Sequence, residues 1–431
     1  MFEIREKPEM VERAMLVSIY FNASEAAEKQ AMLDELEDLV SNLGIGIVGK
    51  HLIKSRDIHA KFLCGTGKAE EIRQLAIDCQ ADCVVFDNML APSQQREWER
   101  LIDECVIDRE EVILDIFAKR ARTKEATLQV ELARMQYSLP RMARMWNHLD
   151  RQGGGAGGGA TRGEGEKQIE VDRRLARARI EAIQKELTTI TRQRATQRKE
   201  RERQAIATAA IVGYTNAGKS SLLSLISGSE VMAKDMLFAT LDTTTRKIEL
   251  PHGQPLLLTD TVGFIRNLPH RLIEAFKSTL EEAVLADFLI QVIDAHDPEA
   301  YRHYETTLEV LDELGAGGKP MIVVLNKTDL VPAEELPLIQ ERLQAHFSGQ
   351  IVIMSVYQEA GVEALLKACE TMLESRVQRA KFLIPYHRSD LIAAMHNEGK
   401  IFSTEYLEEG TLVEALIPVA FYNKLADYLA K

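Results

Sequence analysis

The sequence predicts an α/β protein in four parts. These are an N-terminal open α/β subdomain (1–118), a long antiparallel helical hairpin (119–205), a second and mostly parallel α/β domain (206–376), and a small C-terminal α+β domain (377–431). Three observations predict this arrangement. At 431 residues the chain exceeds what one hydrophobic core accommodates. Short apolar runs alternate with amphipathic ones on both sides of a basic, helix-patterned middle. That middle carries a glycine-rich break between its two helical stretches.

In the first part, LVSIYF, ASEAAEKQAMLDELEDLVSNL, IGIVGKHLI, FLCGTGKAEEIRQLAIDC, CVVFD, PSQQREWERLIDEC and EVILDIF read as strand, helix, strand, strand-turn-helix, strand, helix, strand. The middle begins with ARTKEATLQVELARMQYSL, where Leu128, Val130, Leu132, Met135 and Leu139 form an apolar side until Pro140 bends or ends the helix. After the glycines, Ala176, Ile180, Ile183, Leu187 and Ile190 step by four, three, four and three, a short heptad seam. Two such helices joined by a glycine-rich loop predict a hairpin with the loop at its tip; about 30 residues of helix would project roughly 45 Å. In the third part AAIVGY, ADFLIQVIDA, KPMIVVLNK and GQIVIMSV are short apolar strands between helical stretches, and KIELPHGQPLLLTD is a strand pair around a turn. The C-terminal part reads strand, helix, strand, strand, helix.

Charge is unevenly spread. The chain carries −13 overall, yet residues 119–204 hold 21 basic against 11 acidic side chains, a net of +10, which leaves −23 for the rest. A basic segment in an acidic protein predicts one polyanion-facing surface rather than indiscriminate adhesion. Five scattered cysteines without CxxC spacing indicate neither a disulfide framework nor a zinc site. No uncharged run approaches the ~18 residues of a membrane span, and the first residues lack a signal-peptide pattern. The expectation is a cytoplasmic protein.

The most specific motif is GYTNAGKS, comprising Gly213, Tyr214, Thr215, Asn216, Ala217, Gly218, Lys219 and Ser220. It fits GxxxxGK[ST] between a strand and a helix. Backbone N–H groups there cradle phosphates, Lys219 reaches the β and γ groups, and Ser220 ligates Mg²⁺. DTVG follows at a strand end: Asp260, Thr261, Val262 and Gly263. Asp260 is placed to hold Mg²⁺ through water and the Gly263 N–H to sense a γ-phosphate. NKTD closes another strand with Asn326, Lys327, Thr328 and Asp329. The Asp329 carboxylate accepts from the N1 and N2 donors of guanine, a pair adenine lacks, so the motif selects GTP over ATP. Between the first two motifs MLFATLDTTTR reads as a mobile switch in which one of Thr240, Thr243, Thr244 and Thr245 completes the Mg²⁺ shell. Ser355, Val356 and Tyr357 make a loose match to a loop under the guanine. Phe264 follows DTVG where many small GTPases carry a water-orienting glutamine; a phenyl ring cannot position water by hydrogen bonding, which predicts slow intrinsic hydrolysis accelerated by a partner.

Together these residues resemble the HflX family of translation-associated GTPases over most of the chain. The resemblance is carried by FLCGTGKAEEI (62–72), LDIFAKRARTKEATLQVELARMQY, LPRMARMWNHLDRQGGG, RGEGEKQIEVDRR, GYTNAGKS, FATLDTTTR, DTVGFIRNLP and NKTD. It implies a Ras-like P-loop GTPase domain between the helical hairpin and the small C-terminal domain. It further implies binding to the 50S large ribosomal subunit, with 23S rRNA met through the hairpin, and GTP-dependent splitting or rescue of stalled 70S ribosomes under stress. Carried over residue by residue, Phe238, Ala239, Thr240, Leu241 and Asp242 become the switch contact, and Thr240 joins Ser220 on Mg²⁺. Lys219, Thr240 and Gly263 are then the residues expected to act in catalysis. Two departures stand out: Thr243 occupies a position where the family usually has proline, and SVY replaces the commoner SA-type guanine loop.

Two stretches admit alternative readings. GTGK, Gly65 to Lys68, is either a tight turn opening a helix or a second nucleotide site, since some relatives of this kind use ATP through the N-terminal region to remodel RNA. The glycine stretch is either a slack linker or an RNA-touching tip, for which Arg151, Gly153, Gly154, Gly155, Gly157, Gly158, Gly159 and Arg162 are the contact candidates. The competing function is a regulatory GTPase that signals to a protein partner and uses the helices as a docking face; the chain is expected to be monomeric.

Overall fold

The computed structural model describes residues 11–144, 162–203, 206–228, 237–238, 240–269, 272, 276–373 and 377–430. Arg151 and the glycines from Gly153 to Gly159 lie outside the described residues, as does Ala239. The chain divides into two units.

The first unit runs to Thr189 and also takes in Phe238 and the segment Arg266–Phe276. Its elements are β1 (Arg13–Tyr20), α1 (Ala26–Asn42), β2 (Gly46–Lys54), α2 (Thr66–Asp78), β3 (Cys83–Phe86), α3 (Pro92–Ile102), β4 (Cys105–Asp108), α4 (Arg109–Arg120), α5 (Lys124–Ser138) and most of α6 (Arg162–Arg203). The strands form a parallel sheet in the order β2-β1-β3-β4. Met15, Val17, Val84, Phe86, Trp98 and Val106 fill one core of this unit.

EVILDIF, predicted as a strand, is instead the body of α4. The Asp108 carboxylate accepts from the Glu111 N–H at 3.1 Å and caps the helix at its first turn. Val112, Ile113, Leu114, Ile116 and Phe117 are all buried, so a helix hidden on more than one side yields the same unbroken apolar run as a central strand. FLC is likewise no regular strand: His59 and Leu63 exchange a single bridge before α2 begins. The GTGK turn simply opens α2, with Gly65 extended at the N-cap and the Lys68 ammonium 2.6 Å from Glu71 one turn on.

The two predicted helical limbs are α5 and α6, and ion pairs set their direction. Arg179 donates to both carboxylate oxygens of Glu131 at 2.8 and 2.9 Å, and Lys124 meets Glu186 at 3.2 Å, so the helices run antiparallel. The first limb does not project as expected. Ala126, Leu128, Val130, Leu132, Ala133, Met135 and Tyr137 are buried on several sides of α5, which packs against α4 and the 3-10 segment that follows it. At Pro140 the chain turns into a 3-10 segment, Leu139–Arg144, held by Arg141. That guanidinium donates to Gln95 Oε1 at 2.8 Å, to the Tyr137 carbonyl at 3.0 Å and to the Leu90 carbonyl at 2.7 Å. Along α6 the predicted seam is half realised: Ala176 and Ile183 are buried, whereas Ile180, Leu187 and Ile190 are half-exposed. At ~1.5 Å per residue its 42 residues span about 63 Å.

The second unit contains β5 (Ala207–Gly213), α7 (Lys219–Ser227), β6 (Thr244–Glu249), β7 (Pro255–Asp260), α8 (Lys277–Leu285), β8 (Phe288–Asp294), α9 (Ala300–Glu313), β9 (Met321–Asn326), α10 (Leu336–Gln344), β10 (Gln350–Ile353) and α11 (Val362–Leu373). The sheet order is β10-β9-β8-β5-β7-β6, parallel except for β6. β11 (Val377–Ile384), α12 (Ser389–Glu398), β12 (Lys400–Leu407), β13 (Gly410–Pro418) and α13 (Val419–Lys424) follow. These last strands form an antiparallel sheet in the order β11-β13-β12 with its own core around Phe382, Met395, Val413 and Leu425.

Candidate functional site

The parallel strands β5, β7, β8 and β9 all end on one edge of the six-stranded sheet, and the loops leaving three of those ends carry GYTNAGKS, DTVG and NKTD. Such an edge is where open α/β sheets bind ligands. β5 delivers GYTNAGKS, β7 delivers DTVG and β9 delivers NKTD.

The phosphate loop needs its glycines for space as well as conformation. Gly213 has φ +142°, and a Cβ there would lie 2.3 Å from the Val292 carbonyl oxygen. Gly218 has φ +96°, and a Cβ would lie 2.3 Å from Asn326 Nδ2. Asn216 at the loop's apex is exposed with φ +61°. Lys219 is 6% exposed and its ammonium donates to the Tyr214 carbonyl at 2.6 Å. Burial pushes this ammonium down to about 8, with the Asp260 carboxylate opposing the shift. A lysine desolvated in this way gains strongly from a phosphate dianion. Tyr214 itself is buried and stacks on His303 with centroids 3.7 Å apart, a contact that no motif or spacing expresses.

Three oxygens meet beside the lysine. Ser220 Oγ lies 2.5 Å from Thr240 Oγ1 and donates to Asp260 Oδ2 at 2.6 Å. Of the threonines left open by the switch sequence, Thr240 is therefore the one beside Ser220. Thr244 and Thr245 belong to β6, where Thr245 pairs with Thr259 at 2.9 Å. Burial raises the Asp260 carboxyl above its ordinary value, with Lys219 and Ser220 countering it, and its second oxygen is buried without a hydrogen-bond partner. Two hydroxyls and a carboxylate with an unsatisfied oxygen are the hard donor set that Mg²⁺ takes, so these residues fit that ion. Bound there, Mg²⁺ would offset charge on the β- and γ-phosphates, held by Ser220 and Thr240 with Asp260 behind them.

The remaining switch residues separate. Leu241 is buried and Asp242 half-buried. Phe238, expected as a nucleotide contact, packs in the first unit instead. Its ring meets Phe117 edge-on at 4.7 Å, and Phe117 meets Phe276 at 4.8 Å. A ring 2% exposed gains more from apolar burial than from phosphate or ribose contact. In DTVG, Thr261 donates to the Ile211 carbonyl at 2.7 Å and fastens the loop to β5, and Val262 is buried. Gly263 approaches so closely that a Cβ would lie 2.9 Å from Thr215 Cα and 3.0 Å from Lys219 Nζ.

At the base end, Asn326 is a tie. Its amide donates to the Ala217 carbonyl at 2.9 Å and its carbonyl accepts from the Val356 N–H at 3.1 Å, joining the phosphate loop to the SVY loop. Lys327, at φ +59°, pairs with Asp294 at 2.7 Å, and Thr328 donates to the Met354 carbonyl at 2.9 Å. Ser355 Oγ donates to Asp329 Oδ1 at 2.5 Å and accepts from the Gln358 N–H at 3.1 Å, which fixes the carboxylate expected to read guanine. Tyr357 points away at 90% exposure, and Val356 serves through its backbone while its side chain packs on the core. Among the candidates for RNA contact, Arg162 opens α6.

Comparison with known proteins supplies the family. Residues 30–118 match the model of a GTP-binding GTPase N-terminal region, 120–201 that of a GTP-binding GTPase middle region, and 208–327 that of a 50S ribosome-binding GTPase. The GTPase HflX of Akkermansia muciniphila is 83% identical, with all of both chains covered. This chain belongs to the HflX family of GTPases. The GTPase HflX of Lacrimispora saccharolytica is 41% identical over 99% of this chain and 98% of its own. That of Escherichia coli is 39% identical over 96% and 95%. Among solved structures, a GTP-binding protein from Sulfolobus solfataricus in complex with GDP covers 84% of this chain and 99% of its own, at 25% identity and a TM-score of 0.42. As a member of the HflX family the protein hydrolyses GTP and uses Mg²⁺, and its three oxygens and buried lysine are placed for that chemistry.

Proposed function

We propose that this HflX-family GTPase binds the 50S subunit in its GTP form and splits or rescues stalled 70S ribosomes in the cytoplasm under stress, acting as a monomer. One observation carries the reading: the charge distribution on α6. At ~100° per residue, Arg174, Lys185 and Arg192 fall within about 20° of one another, on the face opposite the buried Ala176 and Ile183. All three are exposed, with Glu181 the acidic interruption among them. Three exposed cations spread over about 27 Å of this helix match a phosphate backbone better than an apolar docking groove. The description of the matched GTPase model as 50S ribosome-binding supports the same partner. Among the described residues no helix is long and apolar enough to cross a membrane.

In this reading GTP fixes the switch through Thr240 and the Gly263 N–H, the helical arm engages 23S rRNA, and insertion strains contacts between subunits. Phe264 offers no polar group to the attacking water, so isolated turnover is slow and ribosome contact accelerates it. Light scattering of 70S ribosomes tests the proposal: the GTP-loaded protein should lower the scattering as subunits part, and the GDP-loaded protein should not. Unchanged scattering with GTP would favour the rival, a regulatory switch for a protein partner.

A further inference from the structure

The backbone of Phe264 is fully engaged: its N–H donates to the Gly213 carbonyl at 3.0 Å and its carbonyl accepts from the Thr215 N–H at 2.8 Å. Its ring is 1% exposed. These two bonds zip the DTVG loop onto the phosphate loop and bring a second residue to the wall where the γ-phosphate is read. A Cβ on Gly263 would sit 2.9 Å from Thr215 Cγ2 and 3.0 Å from Lys219 Nζ, so Gly263 lies against both Thr215 and the lysine expected to address that phosphate.

Thr215 is 6% exposed, and its Oγ1 is buried without a hydrogen-bond partner. A valine would fill the same volume at no polar cost, whereas a buried hydroxyl without a partner is destabilising. The nearby unsatisfied Asp260 oxygen answers to Mg²⁺; the Thr215 hydroxyl has no place in that donor set. We infer that Thr215 Oγ1 is a catalytic group of GTP hydrolysis, supplying at the γ-phosphate the polar contact that Phe264 cannot. A hydroxyl both donates and accepts. Here it accepts a hydrogen bond from the attacking water and donates its own to a γ-phosphate oxygen. The water oxygen forms a bond to the γ-phosphorus as the bond from that phosphorus to the β,γ-bridging oxygen breaks. The electron pair leaves with GDP, the water protons end on phosphate and solvent, and Thr215 keeps its own proton. This rests on the GTPase activity of the family and not on the ribosome reading.

Thr215→Val replaces the hydroxyl by a methyl group of nearly equal size, and Thr215→Ser keeps it. Single-turnover cleavage of pre-bound GTP and GDP affinity are measured for both variants beside the wild-type protein, with thermal melting to check folding. Thr215→Val should cleave roughly 10²-fold more slowly, the usual cost of removing one transition-state contact, while GDP affinity stays within about twofold and Thr215→Ser stays near wild type. Wild-type cleavage by Thr215→Val would overturn the inference. So would an equal loss in both variants, or a loss of GDP affinity matching the loss of rate, since either would make the residue a packing element of the loop. Failure of the wild-type protein to hydrolyse GTP would instead count against the activity itself.

Discussion

Replacing Asp329 by asparagine is expected to weaken GTP binding by roughly 10²–10⁴-fold, as two charge-assisted hydrogen bonds to guanine are lost at about 1.5–3 kcal/mol each. The same change should improve binding of xanthosine triphosphate, whose C2 carbonyl can accept from the new amide where guanine presents a donor. The geometry makes the effect large. Ser355 holds the carboxylate at 2.5 Å and is itself braced by Gln358, so the carboxylate cannot swing away to relieve a mismatch. Asn326 fixes the neighbouring loops through Ala217 and Val356, which keeps the phosphate loop and the base-reading end in register. Fluorescent-nucleotide titration measures both affinities. Unchanged GTP affinity in Asp329→Asn would mean that the base is read elsewhere.

The second large effect concerns the glycine stretch. Deleting Gly153 to Gly159 should leave GTP affinity within about twofold and lower 70S splitting by at least roughly tenfold, because lost phosphate contacts weaken association steeply. The residues proposed for the nucleotide, from Gly213 to Tyr357, belong to the second unit apart from Phe238, and the deletion removes none of them. The helices on either side, α5 and α6, are antiparallel, as the Arg179–Glu131 and Lys124–Glu186 pairs require. A linker between separate domains would tolerate the loss. Full splitting activity in the deletion would return the stretch to that status.

The phosphate loop, DTVG and NKTD were legible because each motif combines a residue type with a strand end. Gly213 and Gly218 hold positive φ against close backbone or side-chain neighbours, and Lys219 is needed where it is buried. Such local demands leave their mark in a few consecutive letters. The α4 helix was not legible, because burial on several sides erases the period that separates helix from strand. Nor was the burial of α5, since its apolar side gave no hint that α4 covers the rest. Phe238 sat in the right motif, yet its ring turned out to belong with Phe117, a partner 121 positions earlier in the chain. Choosing Thr240 among its neighbours required the fold, because only the approach of Ser220 and Asp260 distinguishes it. The unpartnered Thr215 hydroxyl is a property of packing that no spacing rule expresses.

The most direct measurement is co-sedimentation with purified 50S subunits across a salt series, with the protein loaded with a non-hydrolysable GTP analogue or with GDP. A basic helical arm that neutralises several phosphates should give pelleting in the GTP-like form that falls steeply with salt, the logarithm of affinity dropping by about 0.7–0.9 per phosphate contact for each tenfold rise. The GDP form should pellet weakly throughout. Equal pelleting of both forms, indifferent to salt, would contradict a GTP-gated ribosome factor that grips RNA through this arm.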